Sequence, residues 1–226
     1  MATEVDICNL ALGHLGDNAT IASLKPPEGS AQAEHAARFY PISRDTLLEG
    51  HSWNFATRRS TPPLVTNPIS QWKYAYALPN DCMDIIGVID AGAENDYVTR
   101  ASASHNPGWQ GGYAPSVSAG MYVPQPFTVE SDINGSQILY TNVQNALLRY
   151  QAYVTDTSQF SALFTLTLSW HLASMLAGPV IKGDAGQAEG KRCAQMMAAF
   201  LQQAKNSDLS NRKINLEHIV PWTAGR

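Results

Sequence analysis

Apolar residues recur at helical spacing close to the N-terminus, where Val5, Cys8, Leu12 and Leu15 in "TEVDICNLALGHLG" form one stripe. Thr3 followed three residues later by Asp6 has the spacing of a capping box, and Gly16 closes the run. A second helix is predicted from Ser30, with Ala33, Ala36, Ala37 and Tyr40 giving a small-residue face suited to close helix contact. Pro41 should kink it or begin a new helix, because proline removes one backbone donor, and the pattern continues through Leu47 and Leu48 to Gly50. A third helix is apolar nearly all round, with Leu163, Phe164, Leu166, Leu168, Trp170, Leu172, Met175 and Leu176, and should stop at "AGP", residues 177 to 179. The last, from about Asp184 to Ala204, presents Cys193, Met197, Phe200 and Ala204 on one face, with Gly186 and Gly190 weakening its start.

Between these helices the period drops to two. "WKYAYALP" alternates Trp72, Tyr74 and Tyr76 with smaller neighbours and is closed by Pro79 and Asn80. "MDIIGVID" reads as a short buried strand, "FTVESDINGSQILYTN" as a hairpin turning at Asn134 and Gly135, and "ALLRYQAYVT" as a continuation of the same sheet. Residues 101 to 126 are so dense in Gly, Ser and Pro that a long projecting loop is expected there. The pattern therefore predicts an α+β fold, mainly α: a helical bundle with a small antiparallel β region inserted and an extended C-terminal arm. Its parts are N-terminal helices over 1–60, a β insertion over 61–155 with a long loop at 91–126, C-terminal helices over 156–204 and an arm over 205–226.

Composition narrows the classes of function. The 226 residues carry a formal charge of -4, so no global basic field argues for nucleic acid. Charge is unevenly spread: residues 61–181 hold three Lys or Arg against eight Asp or Glu, whereas residues 182–226 hold seven against four. Cys8, Cys82 and Cys193 are odd in number and scattered, as in reduced, packed thiols of a cytosolic chain. "MATEVDICNL" lacks the basic lead and long apolar run of a signal peptide. The charge-free run between Asp156 and Lys182 is long enough to span a bilayer, yet Ser161, Thr165, Thr167, Ser169, His171 and Ser174 interrupt it and no aromatic belts frame it. A core helix is the simpler reading, and no membrane partner is expected.

Candidate chemistry is sparse. The six histidines, at 14, 35, 51, 105, 171 and 218, show no H-E-x-x-H and no cysteine partners at zinc spacing, so neither a metal nor a cofactor is expected. There is no G-x-S-x-G and no P-loop, and the glycines of "GWQGGY" do not sit between a strand and a helix. Glu130 and Asp132 would share one face of a strand, and paired carboxylates can hydrolyse glycosides, but two solvated strand-end acids are the plainer reading. No catalytic constellation emerges.

The ordered set "ICNLALGHLG", "LLEGHSWNFATRR", "YAYALPNDCMDIIGV" and "ILYTNVQNALLRYQAYVTDTSQFSALFTLTLSWHLASMLA" resembles the head-to-tail adaptors of short-tailed bacteriophages, the tail tubular protein A family. The resemblance runs from about Ile7 to Ala204, no single motif is diagnostic, and residues 91–126 align to nothing. It implies a structural virion protein of the neck or tail, made in the bacterial cytoplasm: a ring of about twelve copies between the portal and the tail nozzle, with a lumen that conducts DNA without reading its sequence. Two other classes stay open, a cell-wall hydrolase of a phage tail and a generic helical protein-binding module.

Two stretches are candidates for the contacts such a ring needs. In "EGHSWNFATRRSTPPL", Trp53 and Phe55 stand beside Arg58 and Arg59, residue types that interfaces favour. They suit a subunit interface, with the arginines alternatively facing DNA in the lumen, while the two aromatics equally suit a cap on the core. The C-terminal "KNSDLSNRKINLEHIVPWTAGR" sets Ile214, Leu216, Ile219, Val220 and Trp222 after Arg212 and Lys213. A solvated tail has no use for such anchors. They dock on the chain's own helices or, as the resemblance implies, reach the portal, with Arg212 and Lys213 aiding contact to an acidic rim.

Overall fold

The computed structural model describes residues 2–93 and 125–211. They form a mixed α+β fold of four helices and two small antiparallel sheets, about 47% helix and 20% strand. The described residues divide into two compact units, one of residues 2–57 with 153–211 and one of residues 58–93 with 125–152.

In the first unit, helix α1 (Glu4–His14) begins with the expected capping box: the Asp6 amide donates to Thr3 Oγ1 at 3.1 Å and the Thr3 amide to Asp6 Oδ2 at 2.9 Å. Its buried face is Ile7, Cys8, Ala11 and Leu12, wider than the predicted stripe, while Val5 and Leu15 are half-buried. Asn9 pins the loop after α1, donating to the Ile21 carbonyl at 3.0 Å and accepting from the Ile21 amide at 2.7 Å. Helix α2 (Ala31–Glu49) starts at its Ser30 cap and buries Ala33, Ala36, Tyr40, Leu47 and Leu48. It continues through Pro41 as one helical element rather than restarting.

Helix α3 (Ala162–Ile181) buries Phe164, Leu168, Leu172, Ala173, Leu176 and Ala177 and packs against α1, α2 and α4 (Gly183–Ser210). It passes the expected stop at residues 177–179 and ends at Lys182, whose φ of 62° turns the chain directly into α4. Pro179 lies in the last turn of α3, so the bond it forgoes weakens little of the helix. By length and composition α3 could cross a membrane, but half of that window is buried inside the chain.

The glycines that weaken α4 on propensity have a packing cause. A Cβ on Gly186 would lie 2.8 Å from the Ala177 carbonyl oxygen, and one on Gly190 would lie 3.3 Å from that of Ser174. They let two helix backbones approach where any side chain would push them apart. Helix α4 also runs past the expected Ala204 to Ser210, so residues 205–210 belong to the helix and not to an arm.

The second unit holds strands β1 (Thr57–Ser60), β2 (Leu64–Val65), β3 (Tyr74–Ala77), β4 (Cys82–Ile89), β5 (Phe127–Ser131), β6 (Gln137–Thr141) and β7 (Leu147–Ala152). They make two sheets, ordered β1-β7-β4 and β2-β3-β6-β5. The expected β5–β6 hairpin is present, with Gly135 at φ 78° and its amide donating to the Asp132 carbonyl at 2.8 Å. The expectation that β7 continues that sheet is wrong. Asn145 takes φ 53° between β6 and β7, and β7 pairs with β4 from Cys82↔Ala152 to Ile89↔Leu147. Strand β1 was not predicted, since "TRRS" has neither apolar alternation nor a turn signal.

Gly186 gives the sharpest test of this packing. On propensity alone Gly186→Ala should stabilise α4 by about 1 kcal/mol, but the clash with a backbone oxygen is of the overpacking kind that costs about 1–3 kcal/mol. Because backbone cannot rotate away, the variant should be net destabilised in denaturant unfolding. A gain in stability would show that α3 and α4 are not in close contact there.

Candidate interaction surface

Trp53 is fully buried. Its indole Nε1 donates to the Leu47 carbonyl at 2.9 Å, and its ring meets Phe164 edge-on at 5.0 Å between centroids. It therefore has no surface to offer a neighbouring subunit, and the core-cap alternative is the one it takes. Phe55 is half-buried in the same cluster, 5.1 Å from Phe164 and 5.6 Å from Phe160. Arg58 and Arg59 are exposed residues of β1. Arg58 Nη1 donates to Asp81 Oδ2 at 2.6 Å, and the Tyr150 hydroxyl donates to Asp81 Oδ1 at 3.1 Å. Burial, then the hydrogen bond to Asp81, raises the Tyr150 hydroxyl above its ordinary value. The aromatic pair and the arginine pair thus lie in different compact units. Arg212, Lys213, Ile214, Leu216, Ile219, Val220 and Trp222, and the loop at 101–126 apart from its last two residues, lie outside the described residues.

What sequence reading missed is how the end of α4 is held. Asp208, only 8% exposed, accepts from the Asn54 amide at 3.1 and 3.2 Å and from His51 Nε2 at 3.2 Å. Its own carbonyl accepts from Asn54 Nδ2 at 2.6 Å, and one turn earlier Lys205 Nζ donates to the Gly50 carbonyl at 3.1 Å. The last turns of α4 are thereby fastened to the exit of α2, immediately before residue 212. Asp208 and Asn54 are 154 positions apart and neither belongs to a motif, so no local pattern could announce the pair.

Glu130 and Asp132 do not share one face of a strand. Strand β5 ends at Ser131, and Asp132 sits in the turn, accepting from the Ile133 amide at 2.6 Å and from Asn134 Nδ2 at 3.1 Å. A cleft of about 520 Å³ is lined by Val65, Thr66, Pro68, Asp132, Gln137 and Ile138, with Glu130 not on its wall. Among the described residues no group of three His, Cys, Asp or Glu is placed to hold a metal. Burial pushes the Cys8 thiol up to about 12 and the Cys82 thiol to about 11, so neither is poised as a thiolate.

His171 Nδ1 lies 3.0 Å from Ser43 Oγ, and His14 stacks on Trp170 at 3.6 Å with its Nε2 3.0 Å from Ser169 Oγ. Burial lowers both below the ordinary 6.5, His14 further through the nearby Arg192 cation. Both are packed side chains between helices.

Exposed apolar residues also stand at both edges of one face of the β2-β3-β6-β5 sheet. Leu64 pairs with Tyr76, Tyr76 with Leu139 and Leu139 with Val129, which puts all four in one row on one face. Tyr76 and Leu139 are buried, but at the two sheet edges Leu64 is 64% and Val129 38% exposed, and Phe127 beside it is 36%. Period-two alternation marks which residues share a face. It does not say which strand lies at an edge.

No known protein-family model matches this chain, and no curated protein matches it in sequence.

In the helical unit, Asp208→Ala leaves the Asn54 amide without its acceptor and should cost about 1–3 kcal/mol in denaturant unfolding; an unchanged midpoint would show the fastening to be idle. For the histidines, the folded chain holds them neutral while the unfolded chain takes up protons near pH 6.5. Their contribution to stability is thus constant above about pH 6.5 and falls as pH drops below it. Replacing both with Gln should flatten that part of a stability-against-pH curve.

Proposed function

We propose that this chain is a non-enzymatic structural component of a virion, a head-to-tail adaptor that forms a ring between portal and tail nozzle around a DNA-conducting lumen. The reading rests on the ordered resemblance from Ile7 to Ala204, with a mainly helical bundle centred on α3 as the body of each subunit. The observation that best supports it is the sheet with unlike edges, Leu64 on one and Val129 with Phe127 on the other. A ring contact is heterologous, so each copy needs two different adhesive surfaces. Trp53 is withdrawn from that role, Phe55 serves mainly the core, and the exposed Arg58 and Arg59 face a neighbouring copy or the lumen. Two arginines per copy give DNA a weak, salt-sensitive attraction that lets it slide. Residues 212–226 form the arm to the portal, with Trp222 as its largest anchor.

Mixing the full chain with a portal of a short-tailed phage, followed by electron microscopy, tests the assignment. A chain ending at Asn211 should keep its melting temperature and lose portal assembly, whereas one ending at Ala204 should melt lower because Lys205 and Asp208 go with it. Trp222→Ala alone should weaken association by about 2 kcal/mol or more. Portal assembly that survives loss of residues 212–226 would move the contact to the helices or the sheet.

A further inference from the structure

The four-stranded sheet has two edges that differ in kind. Strand β2 is two residues long and is flanked by Pro62, Pro63 and Pro68, which lack the amide that an added strand would need. Strand β5 has five residues, no proline, and pairs among the described residues only with β6. Its side chains follow a two-sided code. Phe127 and Val129 share the apolar face with Leu139, and Thr128 and Glu130 point the other way.

Residues 212–216, "RKINL", carry the complementary code. Set antiparallel to β5 with Lys213 opposite Glu130, the segment places Ile214 opposite Val129, Leu216 opposite Phe127 and Asn215 opposite Thr128. Every apolar residue then meets an apolar one on the same face, and the cation meets the acid on the other. A shift by one residue sets Ile214 and Leu216 on the polar face, so the register is specified. The strand that donates and the edge that accepts are different surfaces, which gives a head-to-tail contact able to pass from copy to copy.

We infer that residues 212–216 of one copy add as a fifth strand to the edge of β5 in the next copy that no described strand occupies. The contact leaves residues 217–226, with Trp222, outside the sheet. It deepens the ring reading and rests on it only for closure of the chain of contacts into a ring.

The test needs no portal, so its failure is separable from failure of portal assembly. The full chain carrying Val129→Cys and Ile214→Cys together is oxidised at high protein concentration, with the unsubstituted chain as control for Cys82. Val129 is an exposed edge residue, and a melting curve of the doubly substituted chain checks that it still folds. The expected product is a ladder of disulfide-linked dimers, trimers and larger species joined at 129 and 214. Adding Lys213→Glu should lower the linked fraction about two- to fivefold, as loss of one cross-strand pair does, and Glu130→Lys in the same chain should restore it. A disulfide within one chain would overturn the inference by making the arm a strap on its own sheet. So would no disulfide at these positions, or a ladder indifferent to the charge exchange.

Discussion

The helical unit depends on covering α3, a charge-free helix whose Phe164, Leu168, Leu172 and Leu176 are fully buried. Its most apolar face cannot be left in water, so its neighbours must approach closely. Helices α1 and α2 bury alanines, and α4 approaches α3 through Gly186, where a Cβ would clash, and Gly190, where it would be tight. A sequence judged by propensity treats those glycines as defects. The 2.8 Å approach to the Ala177 oxygen makes them a condition of the fold, and the cost of about 1 kcal/mol per glycine in a helix is smaller than the loss of contact that a side chain would cause.

That requirement also explains where the polar groups went. Ser43 and Ser169 are buried, and each serves a histidine that would otherwise lack a partner. The buried guanidinium of Arg44 is matched by Asp45 at 2.7 Å and by the Tyr153 hydroxyl, with the Tyr153 ring 4.9 Å away. Many buried polar residues of the helical unit are thus satisfied by one another, whereas His35 Nδ1, the Tyr40 hydroxyl and Trp170 Nε1 are buried without a hydrogen bond among the described residues. The sheet unit keeps apolar residues at the edge of β5, and an apolar edge that no described strand pairs invites strand addition.

The starts of α1 and α2 were legible in sequence because their signals are local, Thr3 and Ser30 both capping as expected, while Ser161 caps α3 without having been singled out. The ends of α1 and α2 were legible at Gly16 and Gly50, but those of α3 and α4 were not, since α3 runs past Pro179 and α4 runs past Ala204 to turns that Asp208 fastens to Asn54. The β5–β6 hairpin was legible from Asn134-Gly135, whereas the division into two sheets turns on one left-handed residue, Asn145, that carries no period. For the candidate surface, sequence singled out Trp53 by residue type alone. Burial is a property of the assembled unit, and it reassigned that residue to the core while leaving Val129 and Phe127, read only as strand residues, exposed.

Two demands fall on the segment after α4, and the geometry suggests how one stretch meets both. Its root is firm, because Lys205 and Asp208 fasten the last turns of α4 to residues 50–54. A firm root aims the arm and reduces the freedom lost on binding, which raises affinity without new contacts. Five residues then suffice for a strand as long as β5, and the six from Glu217 to Trp222 reach at most about 20 Å further. A strand held by a neighbouring copy would present Trp222 at a fixed position around the ring. If the proposed ring forms, many copies engaged at once would let each anchor bind at the effective concentration set by the others. Under the proposed reading the contact between copies forms without a portal, and portal binding then profits from arms already held by their neighbours.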